Sequence, residues 1–444
     1  MLEQSRPLYI PLIGHTKREQ SRKRAANEPM RLLVITQFFP PDYAPTGQLI
    51  DELTQQLSKQ NIAIRVFSGQ PGYAFESGQK VTPQEWRSQV RVKRSRTTQM
   101  WPQRIRGKMI NGLLFFIRAG LEIVKCRHQY NIILLTTAPP FLQILGYLGS
   151  LFLNRPYVCL IYDLYPDIAI SLSVISPQHW LARLWHKINH HVWNRAQGII
   201  VLSPAMKQRI IRYCPEIESK TFVIHSWADP HLIVPIPKQD NWFAQKFNLT
   251  EKFTVMYSGN MGRCHDMETI LGAMEHLREE PIQFVFIGGG AQLEELRNRV
   301  QLLKLSNCCF LPYQEKQVLP YSLTACDLSL ISVKAGMQDL VAPSKLYSAL
   351  SSGRPIAAIC PHDSYLNELI NDNAKCGATF ENGDSQGLAS FILYLNRDKN
   401  GDTATWMSRN GRHYLENNFT PEKISQSYRE VLHLALDKHK SQFD

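Results

Sequence analysis

The chain opens its ordered pattern with Arg31-Leu-Leu-Val-Ile-Thr36, a nearly continuous apolar run. Such a run marks a strand buried on both faces. A loop over 37–47 leads to a predicted helix at 48–60, with Leu49, Leu53 and Leu57 on one face. The next strand is expected at 62–67. The same alternation predicts strands at 131–137, 157–162, 198–202 and 220–225, a helix from 141, and helices at 178–195 and 204–213. Residues 229–238 hold three prolines and no helical period, which marks a linker. The rhythm then restarts, with strands at 253–258, 282–287, 307–310, 327–332 and 354–359. Helices are expected at 266–278, 291–303, 317–324 and 343–352, and a last one at 421–436. Alternating strands and helices predict open parallel sheets covered on both faces, here two α/β domains with a cleft between them.

Residues 132–153 contain no charge and imitate a membrane span. Pro139-Pro140 divides them, so a short strand, a proline turn and a buried helix account for the run. Residues 1–30 read as a flexible basic leader. Their one apolar patch is short, and the basic cluster follows it, the reverse of a secretory signal.

Composition changes the picture in two ways. Lys and Arg number 50 against 38 Asp and Glu, a net charge of +12, which favours anionic partners. The nine cysteines are odd in number and show no metal or redox spacing, as expected for reduced thiols in a cytoplasmic protein. His186, His190 and His191 share a predicted helix without the His-Glu-x-x-His pattern of a zinc protease. Gly288-Gly-Gly290 lacks the spacing of a dinucleotide loop, and no phosphate-binding P-loop or serine elbow occurs. Asp266-Met-Glu268 reads as a helix start and not as a metal-binding carboxylate pair. No metal and no cofactor are therefore expected, and no nucleic-acid recognition module is evident.

Five C-terminal segments fall at strand-to-helix turns or close to them: Tyr257-Ser-Gly-Asn-Met-Gly-Arg263, Phe286-Ile-Gly-Gly-Gly290, Phe310-Leu-Pro-Tyr313, Ala325-Cys-Asp-Leu-Ser-Leu330 and Ala342-Pro-Ser-Lys-Leu-Tyr-Ser348. In this order they resemble the donor-binding domain of family 4 glycosyltransferases, which have the GT-B fold. Gln37-Phe-Phe-Pro-Pro-Asp-Tyr43, Ala138-Pro-Pro140, Tyr162-Asp-Leu-Tyr-Pro166 and His225-Ser-Trp-Ala-Asp229 resemble the branch that assembles colanic acid and other exopolysaccharides.

The resemblance implies two Rossmann-like domains, an acceptor side at 31–230 and a donor-binding side at 231–420. A C-terminal helix in 421–444 would pack back toward the first. It implies retaining, metal-independent transfer from a nucleotide diphosphate sugar to a saccharide or lipid-linked acceptor. Arg263 and Lys345 would then meet the diphosphate, and Asp163 the donor sugar and acceptor. Gly47, Gly259, Asn260, Tyr313, Pro343, Ser344, Leu346 and Ser348 would bind the donor. Gly47 would either adopt a positive φ or allow close approach to phosphate.

Three positions depart from the family pattern. Ser348 stands where a ribose-binding glutamate is common, Tyr162 where a histidine is common, and Ser226 where an asparagine is common. A nucleotide-sugar epimerase of the same fold and a non-catalytic nucleotide-sugar binder are the competing readings. Residues 91–124 begin with a basic run and continue into a broad apolar helical stripe. They are expected to touch an anionic membrane surface, placing the protein on the inner face of the plasma membrane.

Overall fold

The computed structural model describes residues 29–42, 44–70, 82–95, 105–398 and 401–441. The expected leader, apart from its last two residues, lies outside them. So do Arg96, Trp101 and Arg104 of the basic segment.

The first half is an eight-stranded sheet in the order β3-β4-β2-β1-β5-β6-β7-β8. Its strands are β1 Arg31–Thr36, β2 Ala63–Ser68, β3 Gln84–Arg87, β4 Val90–Arg94, β5 Ile132–Leu135, β6 Tyr157–Ile161, β7 Gly198–Val201 and β8 Thr221–Val223. All pairings are parallel except β3 with β4. The register runs Leu32↔Ile132 and Leu33↔Arg65, so the apolar run at 31–36 is central, as its composition requires. Helices α1 Pro45–Lys59, α2 Ile105–Lys125, α3 Ile144–Leu153, α4 Asp167–Ser171, α5 Trp180–Arg195 and α6 Pro204–Tyr213 connect the strands.

The second half is a six-stranded parallel sheet in the order β11-β10-β9-β12-β13-β14. It contains β9 Phe253–Ser258, β10 Ile282–Ile287, β11 Cys308–Leu311, β12 Leu328–Ser332, β13 Ile356–Ile359 and β14 Gly377–Phe380. Its helices are α7 Trp242–Lys246, α8 Glu268–His276, α9 Leu293–Leu302, α10 Leu319–Thr324, α11 Lys345–Ser352, α12 Ser385–Arg397 and α13 Asp402–Asn418. Helix α14, Pro421–Ser441, returns to the first half. There Gln60 donates to Ser425 Oγ at 3.0 Å and Trp227 packs edge-on against Tyr428.

Residues 132–153 resolve into β5 and α3, and no helix among the described residues is long and apolar enough to cross a membrane. The basic segment is corrected in part. Residues 90–94 are a strand, with Val90 and Val92 fully buried. Arg94 is buried too, donating to Pro40 O at 2.6 Å, Thr82 O at 3.0 Å and Glu85 at 2.6 Å. Lys93 pairs with buried Glu122 of α2 at 2.5 Å. These two cations hold the sheet edge and are not available to a membrane.

The halves share one apolar core. Leu340, Leu346 and Tyr347 join Leu160, Trp227 and Tyr428 in it. Arg412 of α13 locks the linker by donating to Pro230 O, Ile233 O and Ser351 O at 2.5–2.6 Å.

Candidate active site

Two glycine turns at the carboxyl ends of β9 and β10 lie against each other. Gly259 N donates to Ile287 O at 2.8 Å, and Met261 N to Gly289 O at 2.6 Å. Gly259, Gly288 and Gly290 have φ of 131°, 130° and 135°, which only glycine adopts without strain. A Cβ on Gly288 would lie 2.2 Å from Gly259 O, and one on Gly290 2.5 Å from Asn260 Oδ1. The Tyr313 ring covers this turn: Cβ atoms on Gly288 and Gly289 would lie 3.3 and 3.1 Å from it.

Lys345 is the first residue of α11. Its ammonium reaches under the β9 turn, donating to Tyr257 Oη at 2.6 Å and lying 4.3 Å from the centre of that ring. Asn260 O and His265 Nε2 are each 3.5 Å away. Every one of these partners is neutral. Desolvation therefore lowers the lysine to about 7. His265 Nδ1 lies 2.7 Å from Ser332 O, which can only accept, so Nδ1 carries the proton and Nε2 turns its lone pair to Lys345. Burial, then the nearby lysine, lowers this imidazole to about 3, which keeps it neutral.

Asp163 enters from the other half, just after β6. Its backbone forms an antiparallel bridge with Val341, four residues before Lys345, and Leu164 N donates to Leu340 O at 3.3 Å. The backbone N–H groups of Tyr162 and Asp163 both donate to Thr137 Oγ1. Burial raises the Asp163 carboxyl to about 6. Its charge acts in turn on Cys264, whose thiol is raised to about 11, first by burial and then by this carboxylate. One carboxylate from the first half thus faces the Arg263–His265 loop and the Lys345 segment of the second.

Two family models match in series. Glycosyltransferase Family 4 covers residues 46–232, and Glycosyl transferases group 1 covers residues 238–414. The chain is a family 4 glycosyltransferase with the GT-B fold. It is 23% identical over 365 residues to the probable glycosyltransferase WbjE of Pseudomonas aeruginosa, covering 82% of this chain and 88% of that one. It is 36% identical over 102 residues to the putative colanic acid biosynthesis glycosyl transferase WcaI of Escherichia coli K12, which is 23% of this chain and 25% of that one. The crystal structure of Anabaena HepE in complex with UDP and glucose superposes with a TM-score of 0.68 at 17% identity, covering 91% of this chain and 99% of that one.

In this glycosyltransferase the structure brings Lys345, Gly259, Asn260 and Tyr313 together, with Asp163 adjoining through the Val341 bridge and the Cys264 loop. Arg263 is exposed on the same loop as His265 and has no hydrogen bond or ion pair among the described residues. Pro343 and Ser344 precede α11, which starts at Lys345 and not at 343. Leu346 N and Tyr347 N donate to Pro343 O and Ser344 O, each at 3.2 Å, so 343–347 form a tighter i→i+3 turn before the α-helical ladder begins.

Two expectations need correction, at Leu346 and Gly47, and Ser348 keeps an acceptor role only. Leu346 points into the core, and its N–H is taken by Pro343 O, so its side chain cannot meet a ligand. Gly47 has no positive φ. It lies inside α1, where a Cβ would come 2.9 Å from Phe38 C, so the close approach it permits is to the 37–42 loop. Ser348 turns its hydroxyl back to Lys345 O at 3.0 Å, which leaves only its oxygen lone pairs free to accept.

His265 and Tyr257 were not singled out from sequence. The partner that orients His265 is 67 residues away, and Tyr257 reads simply as the end of a buried strand. Asp266 caps the start of α8, accepting from Thr269 N at 3.0 Å and Thr269 Oγ1 at 2.6 Å, while Glu268 pairs with Arg299. His186 lies 3.9 Å from Asp167. Among the described residues His190, Cys214 and Glu216 place potential ligand atoms within 4.8 Å of one another, outside all the loops above.

Proposed function

We propose that the protein transfers a sugar from a nucleotide diphosphate sugar to a hydroxyl of a lipid-linked saccharide during assembly of an exopolysaccharide or other cell-surface glycan. Transfer retains the anomeric configuration and needs no metal. The protein acts in the cytoplasm, peripherally on the inner face of the plasma membrane. One observation carries the reading: Lys345 is a desolvated cation among neutral partners, with no counter-ion in contact among the described residues. A bound diphosphate supplies the missing charge, and the lysine then becomes fully protonated.

The chemistry follows from that charge. The bond between the anomeric carbon and the diphosphate oxygen breaks, and negative charge develops on the leaving group. The Lys345 ammonium, at the positive end of the α11 dipole, stabilises it. Arg263, unpaired on the neighbouring loop, adds a second positive charge. The acceptor oxygen bonds to the same face of the sugar, and its proton passes to a phosphate oxygen of the departing group. Asp163, ionised at neutral pH, accepts hydrogen bonds from sugar hydroxyls and sets their position. The HepE complex with UDP and glucose supports a nucleotide-sugar donor, and the WcaI likeness supports an exopolysaccharide product.

The test is incubation with a panel of nucleotide sugars, with and without lipid-linked acceptor, in EDTA. Transfer with retained configuration is expected. Epimer formation would assign the fold's epimerase chemistry, and binding without turnover a non-catalytic role. An absolute requirement for added Mg²⁺ or Mn²⁺ would contradict the metal-free clamp.

A further inference from the structure

Helices α2, α3 and α5 lie side by side, with α3 in the middle. A Cβ on Gly120 of α2 would sit 3.3 Å from Leu145 of α3, and Arg195 of α5 donates to Ser150 of α3 at 3.0 Å. Their outward sides are apolar. Ten of the exposed large apolar side chains among the described residues are on these three helices. Leu113, Ile117 and Leu121 form a stripe on α2, Leu151 and Phe152 follow on α3, and Trp180 opens α5. Phe152 is 79% exposed and Trp180 67%, values that a core-facing side chain does not show.

Charge separates this face from an ordinary protein contact. Across all three helices there is one acidic residue, Glu122, and it is buried in ion pairs with Lys93 and Arg65. Arg118, Lys125, Arg183 and Lys187 are exposed. By contrast α1 and α14, which pack on each other, carry Asp51, Glu52, Glu422, Glu430 and Asp437. An exposed apolar face with cations and no exposed acid matches an anionic bilayer surface, where apolar side chains enter the interface and cations meet headgroups.

The face also adjoins the site. Gly112 of α2 packs on Pro139 at the end of β5. Trp185 of α5 stacks on Tyr165, and Asn189 donates to Tyr165 O at 2.7 Å, two residues from Asp163.

We propose that the exposed face of α2, α3 and α5 is the membrane-docking surface of this protein, binding anionic lipid and holding a lipid-linked acceptor beside the Asp163 loop. The docking surface stands by itself, whereas the acceptor's presentation rests on the function proposed above. Buried Arg94 and ion-paired Lys93 have no part in it.

The experiment is co-sedimentation with vesicles of phosphatidylglycerol and phosphatidylethanolamine, compared with phosphatidylcholine alone, at low and high salt. The full chain is compared with two triple variants, Ile117→Asn/Leu121→Asn/Phe152→Asn and Arg118→Gln/Arg183→Gln/Lys187→Gln. Wild type is expected to bind the anionic vesicles and to be partly released by salt. Each variant is expected to bind about tenfold more weakly or less, because each loses interfacial apolar area or surface charge attraction. Far-UV circular dichroism and cooperative thermal unfolding like those of wild type certify the fold of both, and UDP-induced stabilisation should stay intact. Equal binding by variants and wild type overturns the proposal. So does a wild-type dimer that the apolar variant converts to monomer, which would give the face to a second copy of the chain. If vesicle binding behaves as expected but no nucleoside diphosphate stabilises the protein, the docking surface stands and the sugar-transfer reading fails.

Discussion

Lys345 and Asp163 are shifted toward neutrality by the same cause, burial, from opposite sides of the pH scale. The lysine falls to about 7 and the carboxyl rises to about 6. If catalysis needs the ammonium and the carboxylate together, kcat/KM, which reports the free enzyme, follows a narrow bell. It rises as Asp163 ionises near pH 6 and falls as Lys345 loses its proton above about 7. Asp163→Asn should lose activity and the acid limb together. It should also stabilise the fold above pH 6, since a raised carboxyl pKa means that ionising the group costs folding energy there. An unchanged acid limb in that variant would remove Asp163 from the chemistry. Lys345 and Asp163 were singled out through the family resemblance of the short motifs that hold them. His265 was not, since its meaning depends on Ser332 and Lys345, both distant in sequence.

Among the elements, the glycine turns after β9 and β10 are the most demanding. Gly288 combines φ of 130° with a backbone oxygen 2.2 Å from where a Cβ would sit, whereas Gly336, with φ of 79°, has nothing within 4 Å. Both substitutions to alanine carry backbone strain, but only Gly288→Ala also forces the two turns apart. It should cost about 1–3 kcal/mol more than Gly336→Ala in denaturant unfolding and weaken UDP-induced thermal stabilisation. Equal costs would show that the turns are not packed as described. Most strands and helices were readable from apolar period alone, and β9 and β10 match to the residue. The β3–β4 edge was missed because charges fill alternate positions of Val90-Arg91-Val92-Lys93-Arg94, and the charge hid the period-two pattern. The elements from β14 to α13 were likewise not drawn from the pattern.

At the scale of the whole molecule, the prolines at 229–238 announced a division but not how the halves meet. That depends on contacts between residues more than a hundred positions apart. Arg209 of α6 joins Asp167 at 2.7 Å to Asp339 of the second half at 3.1 Å, beside the Leu164–Leu340 hydrogen bond. The Asp339 link is partly exposed, so Asp339→Ala should change the melting temperature little. It should widen the distribution of domain separations seen by small-angle scattering, and an identical distribution would show that this link does not restrain the halves. The central claim is that the halves converge on one leaving group held by Lys345. Removing one preorganised donor to developing charge lowers turnover by roughly 10²–10³, about 3–4 kcal/mol. The decisive measurement is kcat for sugar transfer in Lys345→Ala and Arg263→Ala beside wild type, with thermal unfolding as the control. A loss of that order in Lys345→Ala, a smaller one in Arg263→Ala and unfolding near that of wild type are predicted. Turnover within a few-fold of wild type in both variants would contradict the account.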